Sequence, residues 1–230
     1  MPDAMRRRAF ITGIVASIAA APLMAGCSST ASSTSASSLG RVDRTKYAYT
    51  GEVYLLRGLA NVFSTGLDVM NEKFRRRGVN SRVDNHSAWQ MLADDIVARN
   101  QRNQVSYPII IMGHSLGGNA CVQMARYLGD RGIKVSYVAA FDPTITTEPG
   151  PNVDEVINYY LPNGRKGLDA NVVIPAQGFT GKADNVDVSG WEGMSHFNIE
   201  KNDVLQVRVM TKTMALLNPA AKPLKPGDNR

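Results

Sequence analysis

The chain of 230 residues is 43% hydrophobic and 20% charged, which describes an ordinary globule with one sizeable core and no internal repeat. Its formal net charge of +6 is not gathered into a stripe of lysine and arginine interleaved with aromatics, so a nucleic-acid groove is not expected, although the surplus favours adhesion to anionic surfaces. The sequence contains no metal-ligand cluster, dinucleotide fingerprint or phosphate-cradling loop, and no cofactor is expected.

Residues 1–26 read as an export signal: Arg6, Arg7 and Arg8, an apolar run from Ala9 to Ala21, then Pro22 and small residues up to Cys27. Gly13, Ser17 and Pro22 make the run a poor permanent membrane span. Arg7, Arg8, Phe10 and Ile11 resemble the twin-arginine export signal, with Thr12 where lysine is common. "LMAGC", Leu23 to Cys27, resembles the lipobox of bacterial lipoproteins, although Met24 stands where leucine is usual. That resemblance implies a diacylated Cys27 as the first mature residue; plain cleavage of a secreted protein is the alternative. Ser28 after the cysteine, on the same family's sorting rule, implies the periplasmic face of the outer membrane in a Gram-negative host. Residues 27–49, opening "CSSTASSTSASSLG", lack the apolar mass to fold and are expected to form a tether. Beyond them only Cys121 remains, so the mature domain has no internal disulfide, and Cys121 is expected to pack as a small apolar residue.

The folded domain is expected over residues 50–217, where strand-like apolar runs alternate with amphipathic helices, the pattern of a parallel sheet covered on both faces. "EVYLLRG" is the first strand. A helix follows from Ser64 to Arg77, with Leu67, Met70 and Phe74 on one face, Ser64 or Thr65 to cap it and Gly78 to close it. "SRVDNH" is a short second strand, and Ser87 to Gln101 place Trp89, Leu92, Ala93, Ile96 and Val97 at helical spacing, with Trp89 in the core. Tyr107 to Met112 is apolar without alternation, as suits the middle of a buried sheet. A helix through Leu128, strands "KVSYVAAF", "EVINYYL" and "NVDVSG", and a closing helix from Lys201 to Leu217 complete the domain. The irregular piece from Pro162 to Ala183 leaves room for a substrate-binding loop, and residues 218–230 read as a Pro-rich tail.

One motif carries chemistry. Gly113-His114-Ser115-Leu116-Gly117 matches G-x-S-x-G between an apolar strand and a helix, the setting in which a serine is presented on a strained turn as a nucleophile. With this motif the chain from about Gly51 to Leu217 resembles the α/β-hydrolase family, in particular its lipase, esterase and thioesterase-like members. The resemblance implies a compact three-layer α/β fold with about five or six mainly parallel strands, and a triad in the chain order Ser, acid, His. A serine hydroxyl is a poor nucleophile near neutral pH and needs a histidine to take its proton and return it to the leaving group. In that order His196 is the base, since it alone of three histidines follows Ser115. His114 is left a structural or pocket-lining role and His86 a turn or surface role. Asp142, directly after "KVSYVAAF", is the first choice for the acid; most of the family carries it one strand later, where Asp169 and Asp187 are the alternatives. The oxyanion hole is expected from the backbone amides of Leu116 and Leu59, with Ala60 the alternative to Leu59; many relatives have His-Gly where this chain has Arg57-Gly58. Ser64 or Thr65 could add a hydroxyl, although helix capping is the favoured task.

Trp191 and Phe197 flank the histidine region and line either an acyl pocket or the core. Arg75 to Arg77 read as a solvated helix end. Together these features predict a serine hydrolase of small-molecule carboxylic esters or thioesters, exported, anchored to a membrane through an N-terminal lipid and without a nucleic-acid partner. A non-catalytic envelope-binding lipoprotein on a hydrolase scaffold, and a peptidase or acyltransferase using the same triad, are the alternatives.

Overall fold

The structure is a computed structural model that describes residues 47–59, 64–220 and 224. The expected signal, Cys27 and nearly all of the tether lie outside the described residues, as does Ala60. Six strands form one sheet: β1 (Glu52–Arg57), β2 (Ser81–Asn85), β3 (Ile109–His114), β4 (Tyr137–Phe141), β5 (Glu155–Tyr160) and β6 (Lys182–Asp187). Their order is β2-β1-β3-β4-β5-β6, and each neighbouring pair is parallel. Four α-helices accompany them: α1 (Thr65–Arg76), α2 (Trp89–Asn100), α3 (Leu116–Gly129) and α4 (Asp203–Leu217).

The unbroken apolar runs of the inner strands have a simple cause. Side chains alternate across a strand, and here both faces are covered. Ile109 and Ile111 pack with Leu92 and Ile96 of α2 and Val122 and Met124 of α3, while Ile110 and Met112 pack with Leu67, Met70 and Phe74 of α1 and Leu205, Val209 and Met210 of α4. The result is the three-layer α/β architecture expected. Cys121 is fully buried in the first of these cores, and burial pushes its thiol far above the ordinary range. Trp89 is half-buried at the edge of the same core, edge-on to Tyr127 with ring centroids 5.8 Å apart. Gly78 closes α1 at φ 77°, the left-handed conformation that favours glycine.

Several boundaries differ from the expected ones: β4 begins at Tyr137 rather than Lys134, and α2 at Trp89 rather than Ser87, after a 3-10 turn at His86–Ala88. The third strand begins at Ile109 rather than Tyr107, just past a cis Tyr107–Pro108 bond. The last strand runs three residues earlier than "NVDVSG", because register with β5, Glu155 to Lys182 through Tyr160 to Asp187, sets its span rather than its own sparse valines. The closing helix starts at Asp203, after a 3-10 turn at Ile199–Lys201, and is capped by Asn202, whose side chain accepts from the Leu205 amide at 3.1 Å. Within the expected tail, Leu224 donates its amide to Thr211 Oγ1 at 3.2 Å and packs on the α1/α4 core.

The two ends of the sheet are built differently. At the end where the strands begin, Arg99 of α2 grips buried Glu52 through both guanidinium nitrogens at 2.8 and 2.9 Å, with Asp95, Tyr54 and the Ser106 amide completing the network. At the other end, β1 and β3 lie side by side while the chain leaves them toward opposite edges of the sheet. Such a switch point opens a crevice at the carboxyl ends of the strands. Both outermost strands carry a cation and an anion two residues apart, Arg82 with Asp84 on β2 and Lys182 with Asp184 on β6.

Candidate active site

Ser115 occupies the turn between β3 and α3 at φ 58° and ψ −122°, a strained conformation for any residue with a side chain. Its amide extends the ladder to Phe141 O at 2.9 Å, which fixes the turn against β4. The flanking glycines are required by packing. A Cβ on Gly113 would stand 1.9 Å from Gly117 O, and one on Gly117 would stand 1.9 Å from Leu56 O.

Asp142 lies one strand over, directly after β4, also at positive φ (48°), with its amide bonded to Tyr159 O at 2.8 Å. His196 comes from the loop between β6 and α4. That loop is braced by Asn198, whose side-chain oxygen accepts from the Ser195 amide and whose Nδ2 donates to Gly193 O, both at 2.8 Å. These elements bring the three side chains into line. His196 Nε2 is 3.0 Å from Ser115 Oγ, and His196 Nδ1 is 2.7 Å from Asp142 Oδ2. The second carboxylate oxygen of Asp142 accepts from Asn171 Nδ2 at 2.7 Å and from the Leu161 amide at 3.1 Å. Asp142 is thus an acceptor on both oxygens, which leaves His196 Nδ1 the donor and Nε2 free to accept the serine proton.

The alternative acids stand elsewhere. Asp169 is exposed in a 3-10 turn, and Asp187 accepts from the Ser189 amide at the end of β6. Asn171 carries no motif and escapes the sequence reading. It sits in the irregular piece after β5, buried, with Nδ2 also on Leu161 O and its own carbonyl held by Asn158 of β5.

The two amides expected to form an oxyanion hole belong to residues on either side of the serine turn, Leu116 and Leu59. Leu116 opens α3, so its N–H has no intrahelical acceptor. Leu59 follows Gly58, and a Cβ on Gly58 would stand 3.0 Å from Ser115 Cβ, so the β1 exit lies directly over the nucleophile turn. Arg57, where many α/β-hydrolases have histidine, pairs with Asp68 of α1. Ser64 does not cap α1, contrary to expectation: its hydroxyl is engaged by the Gly58 amide at 2.9 Å and by His114 Nδ1 at 2.8 Å. His86, assigned a turn or surface role, is half-buried and opens the 3-10 turn at His86–Ala88, with Nδ1 3.3 Å from Gly58 O. All three histidines of the chain therefore meet at this end of the sheet.

Two large apolar side chains near the triad are exposed. Leu59 is 64% exposed and Phe197 59%, the latter edge-on to the His196 ring at 5.4 Å. Trp191 instead packs on the α1/α4 core with Arg208 above its ring. The arginine run ends α1, with Arg76 paired to Glu72 one turn back. Among the described residues no group of His, Cys, Asp or Glu could hold a metal ion.

No protein-family model and no curated protein matches the chain. Solved structures resemble it in outline. A protein assigned to the alpha/beta hydrolase superfamily from Xanthomonas campestris pv. campestris is 15% identical, covering 66% of this chain and 94% of that one, with a TM-score of 0.37. Est1E from Butyrivibrio proteoclasticus is 10% identical over 74% of this chain and 91% of its own, at 0.43. ClbQ from the colibactin NRPS/PKS pathway is 11% identical over 75% and 100%, at 0.45. The sheet order and all-parallel pairing, with helices packed on both faces, make this a compact three-layer α/β fold.

Proposed function

We propose that the protein is a serine hydrolase that cleaves carboxylic esters or thioesters through an acyl-enzyme. The observation that carries this reading is the continuous hydrogen-bonded line from Asp142 through His196 to Ser115, with the serine raised on a strained turn. In this reaction Ser115 Oγ attacks the substrate carbonyl carbon as its proton passes to His196 Nε2. Asp142 stabilises the resulting imidazolium without taking the proton. The amides of Leu116 and Leu59 receive the developing oxyanion. Collapse expels the alcohol or thiol, which takes the proton from His196, and the acyl group remains on Ser115. Water then repeats the cycle with His196 again as base, releasing the acid. Exposed Leu59, next to the Gly58 that lies over Ser115, and exposed Phe197, against the His196 ring, suit an apolar acyl group, and so favour an acyl ester or thioester over a peptide.

Labelling with a fluorophosphonate tests the reading. One equivalent is expected on Ser115, with none on a Ser115→Ala variant, which also loses hydrolysis of a short activated ester. Hydrolysis retained by that variant would overturn it, and a folded parent that takes no label would instead support a binding scaffold. Matched oxygen and sulfur esters then distinguish the leaving group.

The same reading extends to location. Export followed by acylation at Cys27 accounts for a domain preceded by "LMAGC" and a polar tether. Metabolic labelling with a fatty acid is expected to mark the parent and not Cys27→Ala, and Cys27→Ala is expected to leave the membrane fraction. Label retained by the variant would exclude the anchor.

A further inference from the structure

His114 precedes the nucleophile, is completely buried and takes no part in the proton path just described. Both of its ring nitrogens are nevertheless engaged. Nε2 lies 2.7 Å from the main-chain oxygen of His196. A carbonyl only accepts, so Nε2 carries the hydrogen. Burial pushes the imidazole pKa down to about 4, so near neutral pH the ring is uncharged and Nδ1 is a bare acceptor. Ser64 Oγ, 2.8 Å from Nδ1, must therefore donate to it, and the hydroxyl's lone pair receives the Gly58 N–H at 2.9 Å. The order of protons along the path has one solution: Gly58 amide to Ser64, Ser64 to His114, His114 to the His196 carbonyl.

The ends of this path are the two arms of the site. Gly58 immediately precedes Leu59, whose amide is assigned to the oxyanion, and its carbonyl is held from the other side by His86. His196 is the assigned base. The arms leave β1 and β6, which are separated in the sheet by β3, β4 and β5, so no strand ladder joins them. We propose that His114 is a positioning residue whose neutral imidazole, with the Ser64 hydroxyl, forms a bridge that sets the spacing of the Leu59 amide and the His196 ring across Ser115. This rests on the serine-hydrolase reading. The charged and titratable groups facing the bridge are Glu200, with Oε2 3.7 Å from His114 Nε2, the His196 ring with its centroid 4.9 Å away, Asp142 and Lys201. Glu200 is itself fully buried, and burial raises its pKa toward the neutral acid.

The test is a double-mutant cycle on Ser64→Ala and His114→Asn. An asparagine amide reaches the place of Nδ1 but not that of Nε2, so it severs the tie to His196. Each single variant is expected to lower kcat on a short activated ester by about 10- to 100-fold per folded molecule, with KM within threefold. The double variant is expected to fall no further than the worse single one, because either change breaks the same bridge. The acid limb of the kcat/KM pH profile is expected to move by half a unit or more in His114→Asn. Losses that multiply, an effect confined to KM, or an unmoved acid limb would each overturn the proposal. If the parent takes no fluorophosphonate and hydrolyses no ester, the hydrolase reading fails by itself. Amide hydrogen exchange in the loop that carries His196 then decides on the bridge: faster exchange in His114→Asn than in the parent upholds it, and unchanged exchange overturns it.

Discussion

Asn171 gives the carboxylate of Asp142 a second strong partner, and nothing in its neighbourhood of the sequence announces this. Its value lies in holding Asp142 Oδ1 so that Oδ2 faces His196. A lost hydrogen bond to a buried carboxylate is worth about 1.5–3 kcal/mol, so Asn171→Ala is expected to lower kcat by roughly 10- to 100-fold with the serine still labelled. Asp142→Asn leaves His196 without an acceptor for Nδ1–H and is expected to cost about four orders of magnitude in kcat, whereas exposed Asp169→Asn changes turnover less than twofold. Equal losses in the two variants would remove Asp142 from its assigned place. Ser115 is legible in the sequence because its motif stands between an apolar strand and a helix, whereas Asp142 and His196 are reached through the chain order that the resemblance implies. Ser64, His86 and Asn171 are not, because their partners lie 50, 28 and 29 residues away and only the folded sheet brings them together.

At the scale of the elements, two close approaches that only glycine permits shape the β3–α3 turn, one within the turn at Gly113 and one against β1 at Gly117. Alanine at Gly113 or at Gly117 drives a methyl group into a carbonyl oxygen, of Gly117 or of Leu56 respectively. Overpacking against backbone that cannot step aside is expected to lower unfolding free energy by about 3 kcal/mol or more, measured by denaturant titration, or to prevent folding. The inner strands were readable because burial on both faces demands an unbroken apolar run. The outer strand β6 was readable only in part. It is half exposed, and its span is fixed by pairing with β5 and by Asn185, which bonds Asn158 and both backbone groups of Val173. No local pattern encodes those partners.

The whole molecule divides its tasks between the two ends of the sheet. Arg99 and Glu52 form a buried, bidentate ion pair where the strands begin, and Arg99→Ala strands the carboxylate without its main partner. That variant is expected to lose about 3–5 kcal/mol of stability while each folded molecule keeps its parent kcat within twofold, because the pair stands at the opposite end from Ser115. Stability also depends on pH through His114. Its pKa falls from 6.5 in the unfolded chain to about 4 in the fold, so the unfolded state binds the proton first as the solution is acidified. The contribution is complete above pH 6.5 and is lost between there and pH 4. Glu200 acts in the opposite sense, its raised pKa favouring the fold in acid, so the measurement is a difference. The stability gap between the parent and His114→Asn is expected to narrow by up to about 3 kcal/mol over that window.

The charged pairs on β2 and β6 have a consequence for many copies together. An open parallel sheet ends in two rows of unsatisfied backbone groups, each a template for another chain. Here both templates carry alternating charge, Arg82 with Asp84 on one side and Lys182 with Asp184 on the other. A second edge laid alongside would have to desolvate those groups to zip onto them. Molecules crowded together at high concentration can then collide edge to edge without polymerising, which leaves the crevice of each one open to its surroundings.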